Sequence, residues 1–214
     1  MRVAELSRQT GVPVPTIKYY LREGLLPSGE LTSPNQAAYD DRHVRRLRLV
    51  RALLEVGRLP IATIREVLRD IDGHEEWDMH SRLGRTLYPL TGPPEAPPSP
   101  ELAAAMADTD TLIARWGWQI DPDSPGRRRL AEVALTFREL NVEYLMDEID
   151  RYAEAAAMIA AADLRGISTQ RAPEDVVTSA VIGTVLGDAL QAALRRLAHE
   201  HTSARLFGNP GSTP

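Results

Sequence analysis

The chain has 214 residues, 43% of them hydrophobic and 26% charged, with 25 Lys plus Arg against 30 Asp plus Glu and a net charge of −5. That supplies enough apolar material for a core in one or two domains, and the absence of cysteine excludes disulfides and every thiolate metal site. No run is expected to be long and apolar enough to span a bilayer, and the opening Met1-Arg2-Val3-Ala4-Glu5 is not that of a secretory signal, so the expectation is a cytoplasmic protein with no membrane partner.

Charge is unevenly placed. Residues 1–71 hold twelve Lys plus Arg against eight Asp plus Glu, net +4, whereas residues 72–214 hold thirteen against twenty-two, net −9. A basic head on an acidic body is the electrostatic outline of a nucleic-acid-binding domain joined to a part with another task.

In chain order, Val3 to Thr10 reads as a short helix stopped by Gly11, which can adopt the left-handed conformation at a helix C-terminus. A second helix is expected from about Val14 to Glu23, with Pro13 and Pro15 tolerated because the first helical turn loses no internal N–H bond there. Two short helices around a glycine turn suggest a helix-turn-helix. Ile17 and Leu21 are expected to face the first helix, leaving Thr16, Lys18, Tyr19 and Arg22 to a DNA groove or its phosphates. Tyr19 and Tyr20 also admit a packing role between helices, Tyr20 more readily than Tyr19.

Five arginines lie between Arg42 and Arg51 and cannot all face one way on a helix; Arg42 is the strongest phosphate candidate among them. Val44, Leu47, Val50 and Leu54 form one apolar stripe at helical spacing, and Ile61, Ile64, Leu68 and Ile71 form another. Asp72-Gly73 closes this unit. His74 to Tyr88 is a possible helix of 15 residues, followed by a proline-rich stretch from Pro89 to Pro100. Ser99-Pro100 and Ser124-Pro125 each place a capping serine before a proline at the first helical position. Leu130, Val133, Phe137 and Leu140 mark one helix; a second is expected over about Val142 to Arg165, and a last one from Pro173 to roughly Leu206.

The stretch Thr16 to Pro27, TIKYYLREGLLP, resembles the signature of the MerR family of bacterial transcription regulators: a helix-turn-helix, a tyrosine pair, an acidic-Gly-Leu-Leu turn and a wing. The likeness continues through Tyr39, the arginine-rich Asp41 to Leu54 and the short helix Ile61 to Asp70, and covers about the first third of the chain. The resemblance implies a mainly α protein with a winged helix-turn-helix and a small β wing, followed by an all-α effector and dimerisation domain. It further implies a homodimer on double-stranded DNA at a palindromic promoter site, activation by distorting the DNA between promoter elements, RNA polymerase as a partner, and Tyr39 and Arg42 among the DNA-binding residues. The chain departs from the pattern where Ala37 stands at the usual wing arginine and Pro15 at a usually polar or basic position. Without cysteine it cannot be one of the family's cysteine-ligating metal sensors.

Catalytic signatures are missing: no phosphate-binding glycine loop, no nucleophile elbow, and a single His cluster, His74 to His80, whose imidazoles are six apart and off one helix face. The expectation is therefore a non-enzyme with no cofactor and no metal. Trp116, Trp118, Phe137, Tyr144 and Tyr152 gather in the acidic body and admit two readings, core packing or the wall of a pocket for a small apolar or aromatic effector. Gly183 and Gly187, four apart, put an open face on the last helix beside Ile182, Leu186, Leu190 and Leu197; this face suits either a dimer interface or close packing within one subunit. The expected organisation is a DNA-binding domain over 1–72, a connecting helix and linker over 73–100, an effector and dimerisation domain over 101–207, and a flexible tail over 208–214. The competing reading is a DNA-bending architectural or adaptor protein without a small-molecule ligand.

Overall fold

The computed structural model describes residues 1–33, 36–73, 79–91, 97–165 and 173–207, and among these it is helical apart from one two-stranded sheet. The chain divides into two compact units, Met1–His74 with Thr178–Pro214, and Glu75–Val177. Most of the last helix thus groups with the N-terminal unit, whereas the sequence reading gave all of it to the body.

In the first unit, α1 (Val3–Thr10) ends at Gly11, whose φ of 70° and N–H bond to the Ser7 carbonyl close the helix as expected. α2 (Val14–Arg22) follows with proline in its first turn. Leu6, Ile17, Leu25, Leu47, Ile64 and Leu68 are all buried, and each such side chain stabilises the fold by about 1.5–3 kcal/mol. Tyr20 joins this core while Leu21 stays half-buried, because the buried face of α2 runs through positions three apart. β1 (Glu30–Ser33) and β2 (Gln36–Ala38) pair antiparallel, Glu30 opposite Ala38 and Leu31 opposite Ala37, with a shift before Ser33. The Tyr39 N–H donates to the Met1 carbonyl at 2.8 Å and anchors the wing's end.

α3 (Asp41–Arg51) begins with a capping box that the sequence reading did not include: Asp40 Oδ1 accepts from the Arg42 and His43 amides, and the Asp40 N–H donates to His43 Nδ1 at 3.1 Å. Ala52–Val56 continues α3 as a π turn, with the Gly57 N–H bonded to the Ala52 carbonyl five residues back. The wider turn rotates the chain, so Leu53 is buried where the α-helical spacing pointed to Leu54, which is only half-buried. Arg58 then takes a left-handed φ of 55°, and α4 (Ile61–Asp72) returns along the core.

In the second unit, α5 (Met79–Leu87) runs into a 3-10 turn at Tyr88–Thr91; the start of the expected helix, His74 to Asp78, lies outside the described residues. α6 (Pro100–Trp116) and α7 (Pro125–Glu139) pack through Leu102, Ala105 and Ala131, with Met106 and Leu135 against them. Ser99 caps α6 by accepting from the Leu102 amide, but Ser124 makes no side-chain cap on α7. Asn141, at φ 56°, breaks the chain after α7, and Glu143–Met146 forms a 3-10 turn. This delays α8 to Ile149–Arg165, where a helix from Val142 was expected. Only Ala153 of α8 is buried.

α9 (Pro173–Phe207) is about 52 Å long at 1.5 Å per residue. Its stretch Asp175–Phe207 is, by length and composition, long and apolar enough to cross a membrane, which corrects the expectation that no run would be. The correction is of composition alone. Val177, Val181 and Val185 of this helix are buried in protein, and Asp188, Arg195 and Arg196 interrupt its apolar surface.

Candidate nucleic-acid interface

The outer face of α2 is built by exclusion. Ile17 and Tyr20 take the inward positions, so Lys18 and Arg22 point to solvent and Thr16 and Tyr19 lie half-buried between the two faces. The Arg22 guanidinium lies 5.2 Å from the centre of the Tyr19 ring, a cation–π contact that holds both near the helix end while leaving the arginine exposed. Burial pushes the Tyr20 phenol above its ordinary pKa, with the Glu55 carboxylate adding to the effect.

At the wing, Tyr39 is only 9% exposed, with its ring edge-on to His43 at 5.1 Å. It is chiefly a packing residue, and little of its ring remains for DNA. Arg42 is exposed and lies 3.3 Å from Asp40. The Asp40 carboxyl is held at about 2, first by its side-chain bond with His43 and then by the helix amides, so the cap is anionic at neutral pH. The five arginines divide as the helix demands. Arg42, Arg45 and Arg48 are exposed; Arg46 is half-buried and bonds Asp72; Arg51 is tied to Glu55 at 2.8 Å and to the Thr10 carbonyl at 3.3 Å.

Two exposed residues were missed. Leu31 stands on β1 and Arg58 on the corner between α3 and α4. Only the glycine before Arg58 hinted at a corner there.

Two arginines brace the helix-turn-helix from behind. Arg51 reaches the end of α1, and Arg65 of α4 donates to the Glu23 carbonyl at 2.9 Å and to its carboxylate at 2.6 Å, at the end of α2. The position of the exposed face is therefore set by α3 and α4 as well as by α1.

In the second unit, the Trp116 and Trp118 rings meet at 4.9 Å and tilt by 47°. Trp116 Nε1 donates to Asp150 Oδ1 at 2.7 Å, and Arg115 pairs with the same oxygen; together they hold the Asp150 carboxyl below its usual range, the indole bond contributing most. Phe137 is half-buried, but Trp118, Tyr144 and Tyr152 are exposed, which corrects the core-packing reading for these three. Among the described residues no group of three or more His, Asp or Glu side chains is placed to hold a metal ion. The His74 to His80 cluster lies in residues whose side chains are outside the described set.

On α9, a methyl group built on Gly183 or Gly187 meets nothing within 4 Å, so the close intrachain helix contact considered for these glycines is not made. Ile182 and Leu186 are half-buried beside them, and Leu190 and Leu197 are exposed.

Residues 1–71 match the family described as MerR HTH family regulatory protein. The nodulation protein NolA of Bradyrhizobium sp. (strain NC92) is 36% identical over 72 residues, 34% of this chain and 29% of that protein, so this chain spans less than a third of its length. The mercuric resistance operon regulatory protein of Bacillus cereus is 38% identical over 56 residues, covering 26% of this chain and 42% of the relative. Over nearly full length, the crystal structure of SCO5550 from Streptomyces coelicolor A3(2), a candidate transcriptional regulator, is 38% identical, covers 99% of this chain and all of its own, and superposes with a TM-score of 0.70. With its winged helix-turn-helix in residues 1–71 and a near full-length structural relative, the chain belongs to the MerR family of DNA-binding transcription regulators.

Proposed function

We propose that the chain is an effector-responsive, non-enzymatic regulator that acts in the cytoplasm as a homodimer on a palindromic promoter site. It distorts the DNA between promoter elements for RNA polymerase and changes that action when a small apolar or aromatic molecule occupies the acidic body. The observation that carries the reading is the exposed pair Lys18 and Arg22 on a braced α2, in a segment of net charge +4. Cations fixed on a helix that nothing in its own unit covers are suited to phosphates, and Thr16 on the same face is placed to touch base edges.

Symmetry supports the dimer. A palindromic site is read by a two-fold protein, and Gly183, Gly187, Leu190, Leu194 and Leu197 recur at spacings of four, three, four and three, the repeat of a helix seam that pairs with another helix. Leu190, Leu194 and Leu197 are all exposed within the single chain. For the effector, the support is the paired Trp116 and Trp118 rings beside exposed Tyr152, apolar surface with polar edges of the kind small aromatic ligands use.

Genomic fragments captured by the full-length protein test the first part: they should share an inverted repeat, and capture without any shared repeat would overturn it. A thermal-shift screen tests the second, since a molecule present at a hundred times its Kd stabilises the folded state by about 2.7 kcal/mol. A protein that captures and bends such fragments while no small molecule shifts its melting is instead an architectural DNA-bending protein.

A further inference from the structure

Gly57 is a notch that another helix fills. A methyl group built on it would overlap Val185 Cγ1 of α9 and come within 2.8 Å of the Leu53 carbonyl oxygen. Its φ is −70°, so the position needs glycine for space rather than for backbone freedom. Val185 is itself buried, and Leu53 beneath the notch is fully so. The notch sits where the chain is least regular, just after the π turn Ala52–Val56 and before Arg58 with its left-handed backbone. Two bonds hold this corner, from the Gly57 N–H to Ala52 and from the Leu59 N–H to Leu53.

The corner is wired to both helices of the helix-turn-helix. Glu55, inside the π turn, holds the Arg51 guanidinium through both carboxylate oxygens, at 2.8 and 3.0 Å, and Arg51 in turn donates to the Thr10 carbonyl at the end of α1. On the other side of the corner, α4 carries Arg65, whose two bonds to Glu23 grip the end of α2. The backbone and carboxylate of Glu23 stand one residue beyond Arg22, itself a candidate DNA contact.

We infer that Val185 is a positioning residue for the recognition helix: seated in the Gly57 notch, it fixes the corner between α3 and α4, and Arg51 and Arg65 carry that position to the ends of α1 and α2. A shift of α9 along or about its axis moves Val185 out of register with the notch. Packed contacts of this kind have discrete arrangements rather than a continuum, so the corner and both tethers move with it. The inference concerns how the DNA-binding face is aimed and holds whether or not the body takes an effector.

The test uses the full-length protein and a duplex selected from random-sequence DNA by the parent. Gly57→Ala should fold and bind that duplex about tenfold more weakly, the scale set by overpacking one methyl group. Adding Val185→Ala, which empties the space the new methyl needs, should restore binding to within about threefold, which is within the usual error of additivity and coupling measurements. The same Val185→Ala should not rescue Ile64→Val, a core change in the same unit that leaves the notch intact. Amide exchange at Gly57 and Leu59 should quicken in Val185→Ala alone. Parent-like binding by a folded Gly57→Ala, or no rescue in the double variant, overturns the inference. If Gly57→Ala does not fold, Val185→Ala decides: weaker DNA binding with a folded core and faster exchange at the two corner amides supports it, and unchanged binding or exchange refutes it.

Discussion

Leu197 offers the sharpest test of the proposed dimer. Its side chain is 62% exposed within one chain, and covering that surface by a second copy contributes about 1.4 kcal/mol, taking full burial of a leucine as about 1.5–3 kcal/mol. Two-fold symmetry doubles the effect, because every substitution is made in both chains. Leu197→Ala should therefore weaken the dimer by about 2.8 kcal/mol, or about a hundredfold in Kd. Sedimentation equilibrium across a concentration series measures this directly, and the folded monomer should persist, since Leu197 contributes nothing buried to its own chain. Gly187→Leu gives the complementary perturbation: it meets open space within the chain, so it should leave the monomer folded while blocking the seam. If Leu197→Ala changes Kd less than threefold and Gly187→Leu leaves the dimer unaltered, the α9 seam is not the interface.

Three further outcomes are expected. Lys18→Ala and Arg22→Ala should each lower the slope of log K against log salt by about 0.9, so that the deficit against the parent shrinks about 3.5-fold between about 50 and 200 mM salt, while Thr16→Ala alters sequence preference instead; an unchanged slope in titrations of duplex DNA removes that residue from the interface. The Asp40 carboxyl is lowered from 3.8 to about 2 by folding, so its contribution is present above the higher value and lost as pH falls through the lower one. The stability gap between parent and Asp40→Asn should accordingly close on acidification across that window in pH-resolved urea melts, and a constant gap would refute the assignment. Trp116→Phe deletes the largest contribution holding down the Asp150 carboxyl, which should titrate higher by carbon-detected NMR and weaken any effector that shifts tryptophan emission; an Asp150 titration identical to the parent's contradicts the observed indole bond.

Local signals carried most of the DNA-binding unit. Gly11 stops α1 because a left-handed terminus suits it, and Ile17 is buried because the α2 spacing leaves it no other face. Such features depend on a few neighbouring residues. What escaped the sequence depends on contacts across the chain. Leu53 replaces Leu54 in the core because a π turn adds a residue to the corner, and periodicity assumes a uniform helix. Gly183 and Gly187 attracted attention by their spacing, whereas the glycine against which a helix actually packs is Gly57, 128 positions from Val185 in sequence order by their residue numbers. The exposed Tyr144 and Tyr152 show the same limit, since aromatic content indicates a preference for burial but not which subunit or ligand supplies it. Tyr39 was legible as part of the wing, but its depth in the core came only from its place between Met1 and His43.

The π turn also constrains how the chain length can vary. Removing one residue from Ala52–Val56 would restore ordinary α-helical spacing without breaking the helix, and so would pass unnoticed by any measure of local propensity. Each α-helical residue turns the chain by about 100°, so the deletion would swing everything from Gly57 onward by that angle relative to α3. Gly57 would leave Val185, and Arg65 would leave Glu23. Elsewhere, as at the turn after α7, a residue gained or lost alters only a surface connection. Here it rewrites the geometry of the whole N-terminal unit, so insertions and deletions should be absent from Ala52–Val56 in any relative that keeps this corner, even where substitutions are frequent.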